Sequence, residues 1–331
     1  MLHLSELTKL KEGKNLLAFS AGVDSSALFF LLLENSISFD IALINYGLRE
    51  QSIEEEKYAI ELAQKYNLKL YTKKAPYFQN NFEKNARDFR YSFFDDIMRK
   101  ERYDNLITAH QLNDQLEWFL MRLTKGSGAS ELIGLNSLSM RKEYTLIRPI
   151  LHHSKDELLR YLKSNRFKYF IDSSNLDEKY ERNYFRNNFS DKLIKKYKSG
   201  IQKSFEYIKE DKELLISGYQ ENFHHKKLYI LELKSQIGAV RIVDKYLKKL
   251  GYILSSGQRA EIKVETSIVI AGLWAIEKKE NIIYIAPYIK KAIPKKYKEL
   301  YRIAKIPSKI RGYIYIEKIE IDVINKALKP S

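Results

Sequence analysis

One short stretch concentrates the residue types that handle phosphate: Phe19-Ser-Ala-Gly-Val-Asp-Ser25, between an apolar run and a helix-like run. Small residues let a backbone turn tightly and present successive N–H groups to an anion. A helix opening at the same point adds its positive dipole end. The backbone of Ser20, Ala21, Gly22 and Val23, with the hydroxyls of Ser20 and Ser25, is therefore the candidate polyphosphate site. Asp24 is the odd member, since bare phosphate repels it. Its presence makes sense if a Mg²⁺ bridges carboxylate and phosphate, which makes Asp24 both a candidate catalytic residue and a candidate metal ligand. The plain alternative is a strand-to-helix turn with an Asp/Ser cap.

A second constellation is His110, Asp114 and Glu117, spaced i, i+4 and i+7 so that one helix face carries all three. Spacing alone is compatible with a metal site or with a solvated polar face. Their place at the C-terminal end of a predicted strand favours the ligand reading, because open α/β sheets bind ligands there. Arg87 and Arg90 lie about one turn apart on another helix, suited to triphosphate or to a nucleic-acid backbone, with surface charge as the competing role. Lys125, beside Gly126 and Gly128, is a further phosphate-contact candidate. His152 and His153 precede a helix cap and read as local structure rather than as ligands.

Positioning these residues requires a layered scaffold, and the first half of the chain alternates β-rich runs with helix-like ones. Strands are expected over 15–19, 40–45, 68–72 and 105–108, with helices over 24–34, 52–66, 81–100 and 111–123. Such alternation implies a doubly wound, mainly parallel sheet with right-handed crossovers and helices on both faces. Residues 145–150 can form a fifth strand, and Ser154-Lys-Asp-Glu157 reads as a capping box. The domain boundaries expected are 1–190 for the α/β domain, 191–220 for a basic linker helix and 221–331 for a smaller α+β domain. Within the last, a helical stretch from about Leu228 precedes two β-rich runs, 267–276 and 281–285, joined by a charged turn.

At 331 residues two domains are the ordinary expectation. The formal net charge of +16 favours polyanionic partners, nucleic acid or an anionic membrane surface, without specifying a fold. No window approaches the roughly 18 apolar residues of a membrane span, and residues 1–14 hold no signal-peptide core, so a cytoplasmic location is expected. Cysteine is absent, which excludes disulfides, thiolate nucleophiles and Cys-ligated zinc or iron–sulfur clusters. Oligomeric state is left open, a homodimer included.

The loop resembles the pyrophosphate-binding loop of the N-type ATP pyrophosphatases, Ser-Gly-Gly-x-Asp-Ser, with Ala21 in place of the first glycine. Alanine disfavours positive φ, so the backbone angle at residue 21 is in question. The resemblance implies an adenine nucleotide alpha-hydrolase-like fold, cleavage of ATP between its α- and β-phosphates, and an adenylated oxygen that a nucleophile then attacks. Members that thiolate need cysteine, and users of ammonia carry a glutaminase module for which there is no support here; an amine nucleophile is left.

Further segments resemble the tRNA(Ile)-lysidine synthetases of this group, in order, over residues 16–190. Asn45-Tyr-Gly-Leu-Arg49 matches a His-Gly-Leu-Arg-like turn, with Tyr46 in the histidine position. Glu83 with Ala86-Arg-Asp-Phe-Arg-Tyr91 matches an Ala-Arg-x-x-Arg-Tyr helix. Thr108-Ala-His-Gln-Leu-Asn-Asp-Gln-Leu-Glu117 matches Thr-x-His-x-x-Asp-Asp-Gln-x-Glu, with Asn113 replacing an aspartate. Arg148-Pro-Ile150, Asp172-Ser-Ser-Asn175 and Arg182-Asn183 with Arg186 complete the row. The resemblance implies ATP, Mg²⁺ held by Asp24 and Asp114, catalytic His110, an ATP contact from Arg90, and tRNA contacts from Arg87, Lys125 and Arg186. It also implies free L-lysine as substrate; Glu117 would take its α-ammonium and Arg182 its carboxylate. The tRNA implied is an isoleucine tRNA with a CAU anticodon. Two other readings stay open: an adenylating enzyme for a small molecule, and a non-catalytic tRNA-binding protein whose loop has changed at Ala21 and Asn113.

Overall fold

The computed structural model describes residues 2–47, 51–80, 82–171, 181–216, 218–234 and 238–328. The chain divides into two compact units, 1–209 and 210–331. Among the described residues, no helix is long and apolar enough to cross a membrane.

The first unit opens with α1 (Leu7–Glu12), β1 (Asn15–Ala18), α2 (Val23–Glu34), β2 (Phe39–Asn45), α3 (Gln51–Tyr66) and β3 (Leu70–Lys74). It continues through α4 (Phe82–Glu101), β4 (Asn105–Ile107), α5 (Leu112–Leu123), the short α6 (Ala129–Leu132), β5 (Leu138–Met140), β6 (Thr145–Ile147) and α7 (Lys155–Ser164). The strands form one sheet in the order β3-β2-β1-β4-β6-β5, parallel except at the β5 edge. Alternation along each strand sorts its side chains between two cores. Leu17, Ile41, Leu43, Ile107 and Ile147 pack with the buried faces of α2, α3 and α7. Leu16, Ala42, Leu106 and Leu146 pack with Phe93, Phe94, Ile97 and Met98 of α4. Both faces are therefore covered, which is why these strands read as unbroken apolar runs.

The predicted elements of this unit are all present, β3 beginning two residues later than expected. The edge strand β5 was not expected. Its three residues are half-exposed or exposed and carry no apolar run, so it left no periodic signal.

Beyond α7 come α8 (Glu181–Phe185), a π-helical turn (Arg186–Ser190) and the 26-residue α9 (Asp191–Ile216), which is kinked at Tyr197. Ile194 and Phe205 of α9 pack on Leu112 and Leu116 of α5 in one small core. The segment expected over 191–220 as a linker thus lies mostly within the first unit, because its apolar residues recur at helical spacing and find α5 to cover them.

The second unit holds a five-stranded antiparallel sheet, ordered β7 (Tyr219–His225), β8 (Leu228–Leu233), β11 (Ile282–Pro287), β10 (Trp274–Lys279), β9 (Ser267–Ile270). One face packs on α10 (Ala239–Lys249) and α11 (Ser256–Val264), the other on α12 (Lys295–Ile303), α13 (Arg311–Ile316) and α14 (Ile321–Ala327). The stretch expected to be helical from about Leu228 begins as strand β8, and the expected helices follow only at α10 and α11, ahead of the later strands. Leu228 and Ile230 face one core and Tyr229, Leu231 and Leu233 the other, so the run lacks the alternation that would mark a strand. The run expected over 267–276 is two strands, turned by Ala271 (φ 50°) and Gly272 (φ 68°), a left-handed pair of the hairpin type.

Candidate active site

The loop leaving β1 is folded by its own side chains. Ser25 Oγ receives the Ser20 N–H at 3.2 Å, lies 3.1 Å from Ser20 Oγ and donates to the Gly22 carbonyl at 3.2 Å. Ala21 takes φ 57°, the left-handed region that a glycine would enter freely. This conformation costs an L-residue about 1–2 kcal/mol. Two contacts hold it there: the Ala21 carbonyl accepts the Phe170 N–H at 2.9 Å, and the Ala21 methyl is fully enclosed in the core of α2 and the sheet. The alanine therefore keeps a left-handed backbone that its side chain disfavours.

Asp24 follows in the first turn of α2. Its Oδ1 is buried with no hydrogen-bond partner. Burial, with the Asp114 carboxylate, pushes the Asp24 carboxyl up to about 7.

Asp114 sits at the start of α5, where Gln111 caps the helix and Asp114 Oδ2 accepts the Gln111 N–H at 3.0 Å. Asp114 Oδ1 accepts from Arg182 Nη2 at 2.6 Å. Burial raises the Asp114 pKa, but Arg182, His110, Arg186 and the Gln111 N–H outweigh it and hold the carboxyl below its usual range. His110 Nδ1 lies 3.0 Å from Thr108 Oγ1. Burial, opposed by Asp114 and reinforced by the surrounding arginines, depresses the His110 pKa to about 4, so the imidazole is neutral near pH 7.

Glu117, one turn further, is fully buried. Arg182 Nε reaches its Oε2 at 2.7 Å, and Arg186 contributes Nε to Oε1 at 2.7 Å and Nη2 to Oε2 at 3.0 Å. Residues 182 and 186, four apart across α8 and the π-helical turn, thus face α5 together. Burial and Asp114 still leave the Glu117 pKa raised despite both guanidinium groups. Two sequence expectations change shape here. Glu117 and Arg182 form a pair with each other, and Arg186 points to an internal carboxylate.

A cavity of about 690 Å³ opens beside these groups, bordered by Ser20 and Gly22 of the loop, by Tyr46, and by His110 and Asp114. Arg87, Arg90, Arg141, Arg148 and Arg182 line it, against the carboxylates of Glu55 and Asp114, so it is strongly cationic. Lys125 does not line it and pairs at 2.6 Å with Glu181 on the exposed surface. Arg148 is buried and donates to Asn136 O at 2.7 Å and Ser139 Oγ at 3.0 Å. Arg141, Arg148, Trp118 and Phe170 were not among the candidate residues. Arg148 had a signal in the Arg-Pro-Ile segment; Trp118 and Phe170 had none, because tertiary packing alone brings them to the cavity. Leu48, Arg49 and residues 172–175 lie outside the described residues, as does the side chain of Glu83.

Known proteins are similar to this chain in sequence. A family model described as a PP-loop domain matches residues 2–193. A tRNA(Ile)-lysidine synthase of Campylobacter jejuni is 44% identical over 327 residues, covering 96% of this chain and 98% of the relative. Those of Wolinella succinogenes (42%, covering 97% and 98%) and Helicobacter pylori (40%, covering 95% and 93%) align almost as fully. The chain belongs to the tRNA(Ile)-lysidine synthase family.

Against the lysidine synthase pattern, the departure at Asn113 has a structural account. Its Nδ2 donates to Asp191 Oδ1 at 2.6 Å and its Oδ1 accepts the Lys155 N–H at 3.2 Å, joining α5 to α7 and α9. An aspartate there would face Asp191 with like charge. Tyr46, in the histidine position of the family, lines the cavity and donates to the Ala86 carbonyl at 3.4 Å. The Mg²⁺ that the resemblance implies would meet a fitting donor set: a buried carboxylate oxygen on Asp24 without a hydrogen-bond partner, electrostatically coupled to Asp114, suits the oxygen ligation Mg²⁺ prefers.

Proposed function

We propose that this chain makes lysidine: it joins the ε-amine of free L-lysine to C2 of the wobble cytidine in an isoleucine tRNA with a CAU anticodon. ATP first adenylates O2 of that cytidine with release of pyrophosphate, and the amine then displaces AMP. The observation that carries this reading is the similarity to lysidine synthases running through both units, not only through the nucleotide-binding half.

The loop backbone at Ser20, Ala21, Gly22 and Val23, with the Ser20 and Ser25 hydroxyls, binds the polyphosphate, and Arg90 adds charge from the facing cavity wall. Asp24 and Asp114 hold Mg²⁺, which when bound offsets phosphate charge. His110, neutral and hydrogen-bonded to Thr108, can donate or accept at the reacting oxygen without adding a further cation. Arg182 borders the cavity and meets the lysine carboxylate, while Glu117 sits behind it and fixes the plane of its guanidinium. Arg87 and Lys125, both exposed, are the tRNA contacts; Arg186 serves the same end indirectly by sharing Glu117. Water exclusion and alignment supply most of the catalysis, with no covalent step on the protein.

The test is incorporation of labelled lysine into unmodified CAU isoleucine tRNA with ATP and Mg²⁺. Labelling that needs both ATP and the wobble cytidine is expected. Equal labelling of a tRNA with the wobble base replaced would refute the assignment.

A further inference from the structure

Three imidazoles from distant parts of the chain meet where residues 2–5 lie against the start of α7. Nitrogens of His3, His152 and His153 all lie within 4.8 Å of one another. The ring centroids of His152 and His153 are 4.0 Å apart, and those of His3 and His152 4.3 Å. His153 is buried, His152 half-buried and His3 exposed. The pair at 152–153 reads from sequence as local structure; His3, 150 positions from His153, is what makes it a cluster.

One detail shows a lone pair without a protein partner. His152 Nε2 is buried and has no hydrogen-bond partner, which calls for an explanation in a folded interior. His153 Nε2 faces the His3 backbone, 2.7 Å from its carbonyl oxygen and 3.3 Å from its nitrogen, while its Nδ1 lies 3.8 Å from the Glu157 carboxylate. A backbone carbonyl on one ring nitrogen is the usual means of orienting an imidazole whose other nitrogen binds a metal.

The geometry points to a divalent ion of the zinc class held by His3, His152 and His153, with Glu157 at the fourth position. Three imidazoles and a carboxylate suit Zn²⁺ and its late first-row neighbours, whereas Mg²⁺ selects oxygen. Zn–N bonds near 2.0–2.1 Å place ligand nitrogens roughly 3.4 Å apart. The site must contract by up to about 1.4 Å, most of which the exposed His3 ring can supply. Its role is to fasten the chain's start to the base of the active-site helix. Ser5 N–H already donates to the Pro149 carbonyl at 2.9 Å, and the His153 carbonyl receives the N–H of Leu112, first residue of α5, at 2.8 Å. Gln202 of α9 holds the His152 carbonyl at 2.7 Å. An ion here ties the N-terminal segment, α5, α7 and α9 together.

The experiment uses the untagged full chain, stripped with chelator and kept in excess Mg²⁺ so that oxygen-only sites are filled. It is titrated with Co²⁺ and then with Zn²⁺. One equivalent of Co²⁺ should give the visible absorption of a tetrahedral site, and Zn²⁺ should bleach it. At a Zn²⁺ concentration of about 100 Kd, Tm should rise by about 5–10 °C. His3→Asn and His152→Asn should each weaken binding by about tenfold or more and abolish the tetrahedral band, with a smaller loss for Glu157→Gln, which keeps the helix cap. His3→Asn changes an exposed side chain and leaves the fold intact, so its result is readable even if His152→Asn is unstable. Absence of saturable one-equivalent binding, or a band and Tm rise that survive His3→Asn, would overturn the assignment.

Discussion

Asp24 illustrates how a site stores unfavourable charge for a ligand to relieve. Its carboxyl is raised from 3.8 to about 7 in the fold by burial and by Asp114. The folded protein therefore holds a proton that the unfolded chain releases, and the sign follows from linkage. The contribution of this group to stability is fully present below about pH 4 and is lost as pH rises to about 7. Asp24→Asn removes that dependence, so without ATP and metal the variant should be more stable than the parent at pH 8 by about 1–3 kcal/mol and show little difference at pH 4. Denaturant unfolding at the two pH values measures this. Lysine incorporation should fall by about 100-fold or more in the same variant. Asn113 makes the complementary case. Asn113→Asp restores the family residue but sets a buried carboxylate against the half-buried Asp191, 2.6 Å from the present amide. A loss of about 1–3 kcal/mol in unfolding free energy is expected. The KM for ATP should stay near the parental value, since both contacts of Asn113 run to α7 and α9. A strong ATP effect without destabilisation would make residue 113 part of the nucleotide site.

Helix α5 is the element on which the site turns. Its N-terminal turn carries Asp114, its next turn Glu117, and the same face brings Trp118 to the cavity wall. The helix is fixed at one end by the Gln111 capping box and along its apolar side by Ile194 and Phe205 of α9. Trp118 has room only because residue 134 is glycine: a Cβ there would stand 2.2 Å from the indole. Gly134→Ala must therefore displace the ring or the strand-leading segment after α6. Overpacking of this kind costs about 1–3 kcal/mol. Loss of activity beyond what the lost stability explains, measured as lysine incorporation at a temperature where the variant is folded, is the expected result. Sequence pattern identified α5 with Asp114 and Glu117 on it, but His110 lies ahead of the extended Gln111 cap and not on the helix face expected for all three. The pattern did not identify the glycine's purpose, because the indole that forbids a side chain there lies sixteen positions earlier in the chain.

At the scale of the molecule, a net charge of +16 favours polyanionic partners, and tRNA binding should weaken steeply with salt. Ending the chain after Ile216 removes the five-stranded sheet and its two helical layers while leaving the α/β unit's cores whole. ATP binding should persist in the truncated protein, whereas affinity for isoleucine tRNA should fall at least tenfold and lose preference over methionine tRNA. Filter binding across a salt series would measure both; retained discrimination would assign tRNA choice to the first unit.

The sequence by itself determined the alternating α/β order, the phosphate loop, the chemical face of α5 and the family. These depend on local spacing, on turn chemistry and on the absence of cysteine, all of which are written along the chain. Tertiary structure alone decided the rest. It paired Glu117 with Arg182 and Arg186, set Asn113 against Asp191, brought Arg141, Arg148 and Trp118 to the cavity, and turned the apolar run at Leu228 into a strand. Each of these follows from charge compensation or burial between residues far apart in sequence, and burial on both faces removes the periodicity from which a strand is read.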